Sequence, residues 1–201
     1  MSRIIAPPPR RRSRPEPDRG ADRLALLSQR RGTIPLLAEL HRGRGAKFIT
    51  LVNRLGLSRP TVRHTVDEAI EAGWVMRNPG YGHPLRPEYI LTEAARSLGT
   101  ACDRLHAKLE HAGIFDIALR KWSLPLLYAL RSGPCRFGDL RAALPAVTDR
   151  ALTMAVKDLI EAGLIAREVG DDYPPAPVYR CRPAARAVIR ELRSLVRTLS
   201  D

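Results

Sequence analysis

Apolar residues recur along this chain in short stripes with helical spacing. Val62, Val66, Ala69 and Ile70 stand at i, i+4, i+7 and i+8, and Leu152, Val156, Leu159 and Ile160 repeat that spacing ninety residues later. Each stripe is one buried face of a helix. Each helix runs into "EAG", where Gly73 or Gly163 can take the left-handed cap conformation. Upstream, "TIPLLAEL" places Ile34, Leu37 and Leu40 on one face and is closed by "RGRG". "AKFITLVNRL" then turns Phe48, Leu51, Val52 and Leu55 inward. Gly56 permits a tight reversal, Ser58 can cap the next helix, and Pro60 falls in its first turn, where a missing N–H costs little. Beyond each "EAG" the pattern shortens to strand-like stretches, "WVMRN" with "PEYILT" and "LIAREV" with "PVYRCR". Gly- and Pro-rich loops over 79–86 and 170–176 separate the members of each pair.

Three helices followed by a β-hairpin make a winged helix-turn-helix, and the pattern predicts two of them. Shifted by ninety residues, Ile34, Pro35, Leu36 and Leu37 fall on Leu124, Pro125, Leu126 and Leu127. Ser58 falls on Thr148, Arg77 on Arg167, Tyr89 on Tyr179, and "AAR" at 94–96 on "AAR" at 184–186. Only near Phe48 and Phe137 does the offset slip, to eighty-nine. So long a register reads as a tandem duplication. The expected fold class is mostly α with small β-hairpins: tandem winged helix-turn-helix domains over 22–111 and 112–201, each ending in a long packing helix. Residues 1–21 are expected to be a disordered Pro/Arg-rich tail.

After each wing a narrow apolar stripe recurs by threes and fours. The first comprises Leu91, Ala95, Leu98, Cys102, Leu105 and Leu109; the second Ala185, Val188, Leu192, Leu195 and Leu199. That is a coiled-coil-like seam, which a small unit leaves uncovered and which calls for a partner. Two arrangements satisfy it: a homodimer, or an intramolecular pseudo-dimer in which the terminal helices of the two repeats pack together.

Charge narrows the class of partner. Thirty-four basic residues against 21 acidic give a formal +13, and residues 1–31 alone hold nine arginines against three acids. Such a balance favours a polyanion, because cationic side chains release condensed counterions from phosphate. The tail can track a phosphate backbone or enter a minor groove, or it can be a solubilising extension without specific contacts. Cys102, Cys135 and Cys181 are sparse and odd in number, as expected in a reduced cytoplasm. No apolar run reaches the roughly 18 residues of a membrane span, and the N-terminus has no signal-peptide core. The expected location is therefore cytoplasmic and nucleoid-associated, with no membrane partner.

The stretch from "KWSLPLLYALRSGPCRFGDLRAAL" through "LIEAGLI" to the Pro-rich wing closing on "VYRCR" resembles the HxlR-type winged-helix transcriptional regulators. The first repeat looks like a more diverged relative, whose "ITLVNRLGLSRPTVRHTV" is also similar to a general bacterial helix-turn-helix. The resemblance implies DNA binding and contact through terminal helices. Family members normally carry one unit and pair as homodimers, whereas this chain fuses two. Many relatives sense oxidants through a cysteine shortly before "KW"; here that stretch is "HAGIFDIALR", so that route is unsupported.

The third helix of such a unit offers its N-terminal half to base edges in the major groove. In the first repeat the candidates are Arg59, Pro60, Arg63 and His64, with Ser58 and Thr61 placed for phosphate. In the second they are Asp149, Arg150, Thr153, Met154 and Lys157, with Thr148 at the cap. Asp149 can accept from a cytosine amino group but repels phosphate, and Met154 suits either a thymine methyl or the core. Wing candidates for backbone contact are Arg77 and Arg86, then Arg167, Arg180 and Arg182; Asp171 and Asp172 argue against close approach by the second wing tip.

No catalytic constellation, cofactor motif or metal set is expected. Cys102, His106 and His111 have a suggestive spacing, but Cys102 falls within the apolar seam and reads better as a buried thiol. The expectation is a sequence-specific regulator that binds double-stranded DNA and is not an enzyme. The alternative is a tandem winged-helix structural or interaction protein, such as a chromosome-condensation accessory, whose surfaces need not be basic. RNA binding through the tail is a third reading.

Overall fold

A computed structural model describes residues 17–79, 87–169 and 176–200. The chain is mostly helical with two small sheets, as a helix-turn-helix protein with wings requires. None of the described helices is long and apolar enough to cross a membrane.

The first helix, α1 (Arg19–Leu27), begins inside the last residues of the tail expected over 1–21. Asp18 caps it, accepting from the N–H groups of Gly20 at 3.1 Å and Ala21 at 3.2 Å. Ala21, Leu24 and Leu27 are fully buried. The tail expected over 1–21 therefore gives way to ordered chain by Asp18. The reason is the spacing of those three apolar residues behind a good cap, which outweighs the arginine-rich composition. Residues 1–16 lie outside the described residues.

Four helices, α2 (Thr33–Arg42), α3 (Phe48–Leu55), α4 (Arg59–Glu71) and, after a hairpin, α5 (Arg96–His111), form the next portion. The hairpin pairs β1 (Val75–Arg77) with β2 (Tyr89–Leu91), antiparallel, with Arg77 opposite Tyr89. Gly56, between α3 and α4, adopts φ 62°, and Gly73, after α4, φ 73°, both left-handed as the reversals demand. Leu91 belongs to β2 and not to the terminal helix, which begins only at Arg96. Its inclusion in the helical stripe arose because a strand residue can fall in phase with a following helix.

The second portion follows a short α6 (Phe115–Ala118). It contains α7 (Ser123–Ala129), α8 (Phe137–Ala143), α9 (Asp149–Glu161) and α10 (Arg186–Thr198). Its sheet orders β3 (Cys135–Arg136), β5 (Pro177–Cys181) and β4 (Ile165–Val169), with β5 central and both pairings antiparallel. Arg167 faces Tyr179 as Arg77 faces Tyr89. Cys135 pairs with Tyr179, while a single bridge joins Ala46 to Tyr89. The two hairpins thus share one register; the first adds a single bridged residue, Ala46, from the chain just before α3, and the second adds the short strand β3 from the chain just before α8. That segment is not signalled by alternation, because two residues are too few for a period.

The core runs through both portions. Val62, Val66 and Ala69 on α4, and Leu152, Val156 and Leu159 on α9, are buried as their spacing predicts. α5 packs on α2 and on α10, while α1 reaches across to α7 and α10. Leu105 and Leu109 on α5, with Leu192 and Leu195 on α10, are fully buried. Burial of one leucine contributes roughly 1.5–3 kcal/mol, so the seam that called for a partner is covered within a single chain. At its edge, Arg104 Nη2 donates to Ser194 Oγ at 3.0 Å, and Arg104 lies 3.6 Å from Glu191. Cys102 is wholly buried in α5, and that burial pushes its thiol far above the usual range, which suits packing and not metal ligation or redox chemistry.

Candidate nucleic-acid interface

At the start of α4, Ser58 has extended backbone and its Oγ accepts from Thr61 N–H at 3.3 Å. The two hydroxyls also lie 2.8 Å apart, so Ser58 and Thr61 form one small polar cap. Pro60 stands in the first turn as expected. Since Val62, Thr65 and Val66 point into the core, Arg59, Pro60, Arg63 and His64 are left exposed along one edge. Among the described residues Arg59 has no carboxylate partner, whereas His64 lies one turn before Glu68 and interacts electrostatically with its carboxylate.

Arg63 is held. Its guanidinium lies 4.2 Å from the centroid of the Phe48 ring and donates to the Tyr89 hydroxyl at 3.3 Å. Tyr89 is fully buried on β2, and burial, with Glu88 nearby, pushes its phenol upward, so the hydroxyl remains protonated. Arg77 stands over the same ring at 5.8 Å. Helix α3, helix α4 and the wing strands therefore converge on one aromatic residue, with two guanidinium groups beside it. A planar fork held by stacking loses less freedom when it engages a base or phosphate.

The corresponding start of α9 is differently occupied. Thr148 caps it, accepting from Ala151 N–H at 3.2 Å. Asp149 accepts from Arg141 Nε at 2.7 Å, and Arg141 also donates to the Pro145 carbonyl at 3.1 Å. The carboxylate that was free to address a cytosine is already engaged by an arginine eight residues earlier. Thr153 donates its hydroxyl to the Asp149 carbonyl at 2.8 Å. Met154 is 50% exposed and so faces outward, not into the core. Arg150 is exposed and unpaired among the described residues, whereas Lys157 lies 3.7 Å from Glu161. On the wing, Arg180 pairs with Glu168 at 3.1 Å, while Arg167 and Arg182 are exposed without a carboxylate partner among the described residues. Arg86, Asp171 and Asp172 lie outside the described residues.

The candidates form two sets, a cationic one on α4 and β1 and a more neutralised one on α9, β4 and β5. Sequence reasoning missed the residues that hold them. Arg30 clasps Glu68 of α4 through Nε at 2.8 and 2.9 Å, and Arg120 holds Asp158 of α9 at 2.5 Å. These pairs are ninety residues apart at both ends, so the repeat register contained the signal. Each ties a third helix to the chain entering α2 or α7. The Arg30 hydrogen bond holds the Glu68 carboxyl below its ordinary range, so the pair remains charged at neutral pH.

Residues 117–200 match the HxlR-like helix-turn-helix family. The HxlR-like segment comprises the end of α6, helices α7 to α10 and the three-stranded sheet. An uncharacterized HTH-type transcriptional regulator of Methanothermobacter thermautotrophicus is 35% identical over 75 residues, covering 37% of this chain and 57% of that protein. The regulator YdeP of Bacillus subtilis is 41% identical over 64 residues, covering 32% of this chain and 50% of its own. The chain thus spans about half the length of these curated relatives. The redox regulator HypR in its oxidized form aligns with 45% of this chain and 90% of its own at 27% identity, with a TM-score of 0.37.

Proposed function

We propose that this chain is a sequence-specific, double-stranded DNA-binding transcriptional regulator, made of two winged helix-turn-helix units over 22–111 and 112–201. In this reading α4 and α9 enter the major groove and the wings touch flanking phosphates. The observation that carries it is the start of α4, where Arg59, Arg63 and His64 stand exposed beside a buried stripe, with Arg63 already oriented by Phe48 and Tyr89. The HxlR-like match over 117–200 supports the same role for α9.

The packing of α5 on α10 supports an intramolecular pseudo-dimer. Arg104 and Ser194 occupy equivalent positions in the ninety-residue register and bond to each other. Equivalent residues meet in this way where a twofold axis passes. Twofold-related reading helices sit about 34 Å apart, one DNA turn. Because α4 and α9 present different side chains, one chain would read an asymmetric site.

Selection of bound duplexes from a random library by the full chain, with molar mass measured in solution, tests this reading. The expected result is one enriched, asymmetric motif about 20 base pairs long bound by a single chain. Failure to enrich any duplex over competitor DNA would overturn it.

A further inference from the structure

A cavity of about 560 Å³ lies between the turn after α7, strand β5 and the first turns of α10. Leu130 and Ile189 line it with apolar surface, and Arg180, Arg186, Arg190 and Arg193 stand around them. No residue of α9 contributes, so this hollow is separate from the proposed reading surface. A cavity of about 690 Å³ occupies the corresponding place in the first portion. There Leu40 stands for Leu130, Ile90 for Arg180, Arg96 for Arg186 and Thr100 for Arg190. The junction of the first core helix, wing strand and terminal helix therefore makes the same hollow twice, and the second copy is the richer in guanidinium groups, with five arginines against Arg44 and Arg96 in the first.

Those charges are incompletely neutralised. Arg180 has Glu168 at 3.1 Å and Arg190 has Glu191 at 3.7 Å. Arg193 donates to the Arg131 carbonyl at 2.9 Å, which leaves its charge unopposed. Arg186 has no carboxylate partner among the described residues. In the first cavity the equivalent Arg96 is paired with Glu93 at 2.9 Å, but the position matching Glu93 is Pro183. The second cavity thus has the arginine without the acid that pairs with its counterpart, next to apolar surface. Ligand pockets of this kind run from about 300 to 1,000 Å³ and combine an apolar lining with a few convergent polar groups.

We propose that this cavity binds a small organic anion with an apolar body, an aromatic or short aliphatic carboxylate. The carboxylate sits on Arg186 and Arg193, where a guanidinium fork can hold both oxygens, and the body covers Leu130 and Ile189. A bare inorganic anion would satisfy the charges and leave the apolar surface wet. Such a ligand would touch both the wing strand and the helix that packs on α5. A link to DNA affinity through differential binding rests on the proposed regulator reading; the ligand site itself does not.

Calorimetric titration of the full chain, without DNA, with benzoate, hexanoate and inorganic phosphate tests the site. Saturable binding of benzoate or hexanoate is expected, at least about tenfold tighter than phosphate at equal ionic strength. Arg186→Glu should weaken it by at least about tenfold and Arg186→Lys by less, since lysine keeps charge without the fork. Protection of Cys181, at the cavity wall, from alkylation by bound benzoate, with Cys135 unprotected, gives a readout on the unaltered chain. Absence of saturable binding by both carboxylates would overturn the proposal, as would phosphate binding equally well, indifference to Arg186→Glu, or no selective protection of Cys181. Because no duplex is present, such a failure leaves the DNA reading standing.

Discussion

Replacing Arg63 by alanine removes the side chain at which α3, α4 and the wing meet. In the free protein its guanidinium stacks on Phe48 at 4.2 Å and bonds the Tyr89 hydroxyl at 3.3 Å. An exposed cation–π contact is worth roughly 0.5–1 kcal/mol, so Arg63→Ala should lower Tm by only about 1–4 °C for a chain of this size. The effect on DNA should be larger. A lost bidentate base contact costs about 1–3 kcal/mol, a fall in affinity of about 5- to 150-fold. Fluorescence anisotropy with the selected duplex and a scrambled one, over a range of salt, separates the two roles. If Arg63 reads a base, affinity for the selected duplex falls, the scrambled duplex is little affected, and the salt slope holds. If it contacts phosphate, both affinities fall and the log–log slope shrinks by about 0.9. Tyr89→Phe keeps the stacking and removes only the acceptor, so it should weaken binding less than Arg63→Ala does. Unchanged affinity for both duplexes, with an unchanged slope in the alanine variant, would refute the placement of α4 on DNA.

Four further outcomes follow from named contacts. Leu105→Ala, at a fully buried position on α5, should cost about 2–5 kcal/mol in chemical unfolding. Ser58→Ala and Thr148→Ala each remove a capping acceptor and should cost about 1 kcal/mol by the same measurement. Burial pushes the His106 pKa down, against an opposing pull from Glu110 and with Arg42 acting in the same direction as burial. The unfolded state, with a histidine pKa near 6.5, then binds the extra proton, so stability should fall as pH drops below about 6.5. Urea unfolding across that range in the parent and in His106→Asn, where the dependence flattens, checks the sign. Deleting residues 1–16 should reduce the salt slope of duplex binding without changing the selected motif, as removal of phosphate contacts requires.

What could be read in advance follows the range of each interaction along the chain. The third helices were legible because one stripe at 62, 66, 69 and 70 and its copy at 152, 156, 159 and 160 each declare a buried face locally. The Ser58 and Thr148 caps were legible for the same reason. Helix α1 was not, because Ala21, Leu24 and Leu27 gain their burial from α7 and α10, helices that begin only at Ser123 and Arg186. The strand β3 was too short to carry a period. Arg141 and Asp149 meet across a turn, eight residues apart, a spacing no helix or strand rule selects. The hold of Tyr89 on Arg63 joins a wing strand to a helix and depends on tertiary placement alone. Of the site, the outward residues were readable from the stripe, while their neutralisation or orientation was decided by partners from other elements.

Comparison of the two halves within this chain gives the mechanism its asymmetry. Positions that hold the scaffold correspond closely: Arg30 with Glu68 and Arg120 with Asp158, Tyr89 opposite Arg77 and Tyr179 opposite Arg167. Positions that face outward at the helix start do not: Arg59 stands against Asp149, Arg63 against Thr153, and His64 against Met154. Arg63 offers a charged fork held in place, whereas Thr153 spends its hydroxyl on its own helix backbone and Asp149 is bound to Arg141. On the proposed reading, α4 supplies most of the hydrogen-bond discrimination. α9 contributes Arg150 and the thioether of Met154, suited to phosphate and to an apolar base edge. Substitution in α4 should therefore erase sequence preference, while substitution in α9 should mainly lower affinity. On the same reading, unequal reading surfaces on the two units call for an operator whose two halves differ in kind.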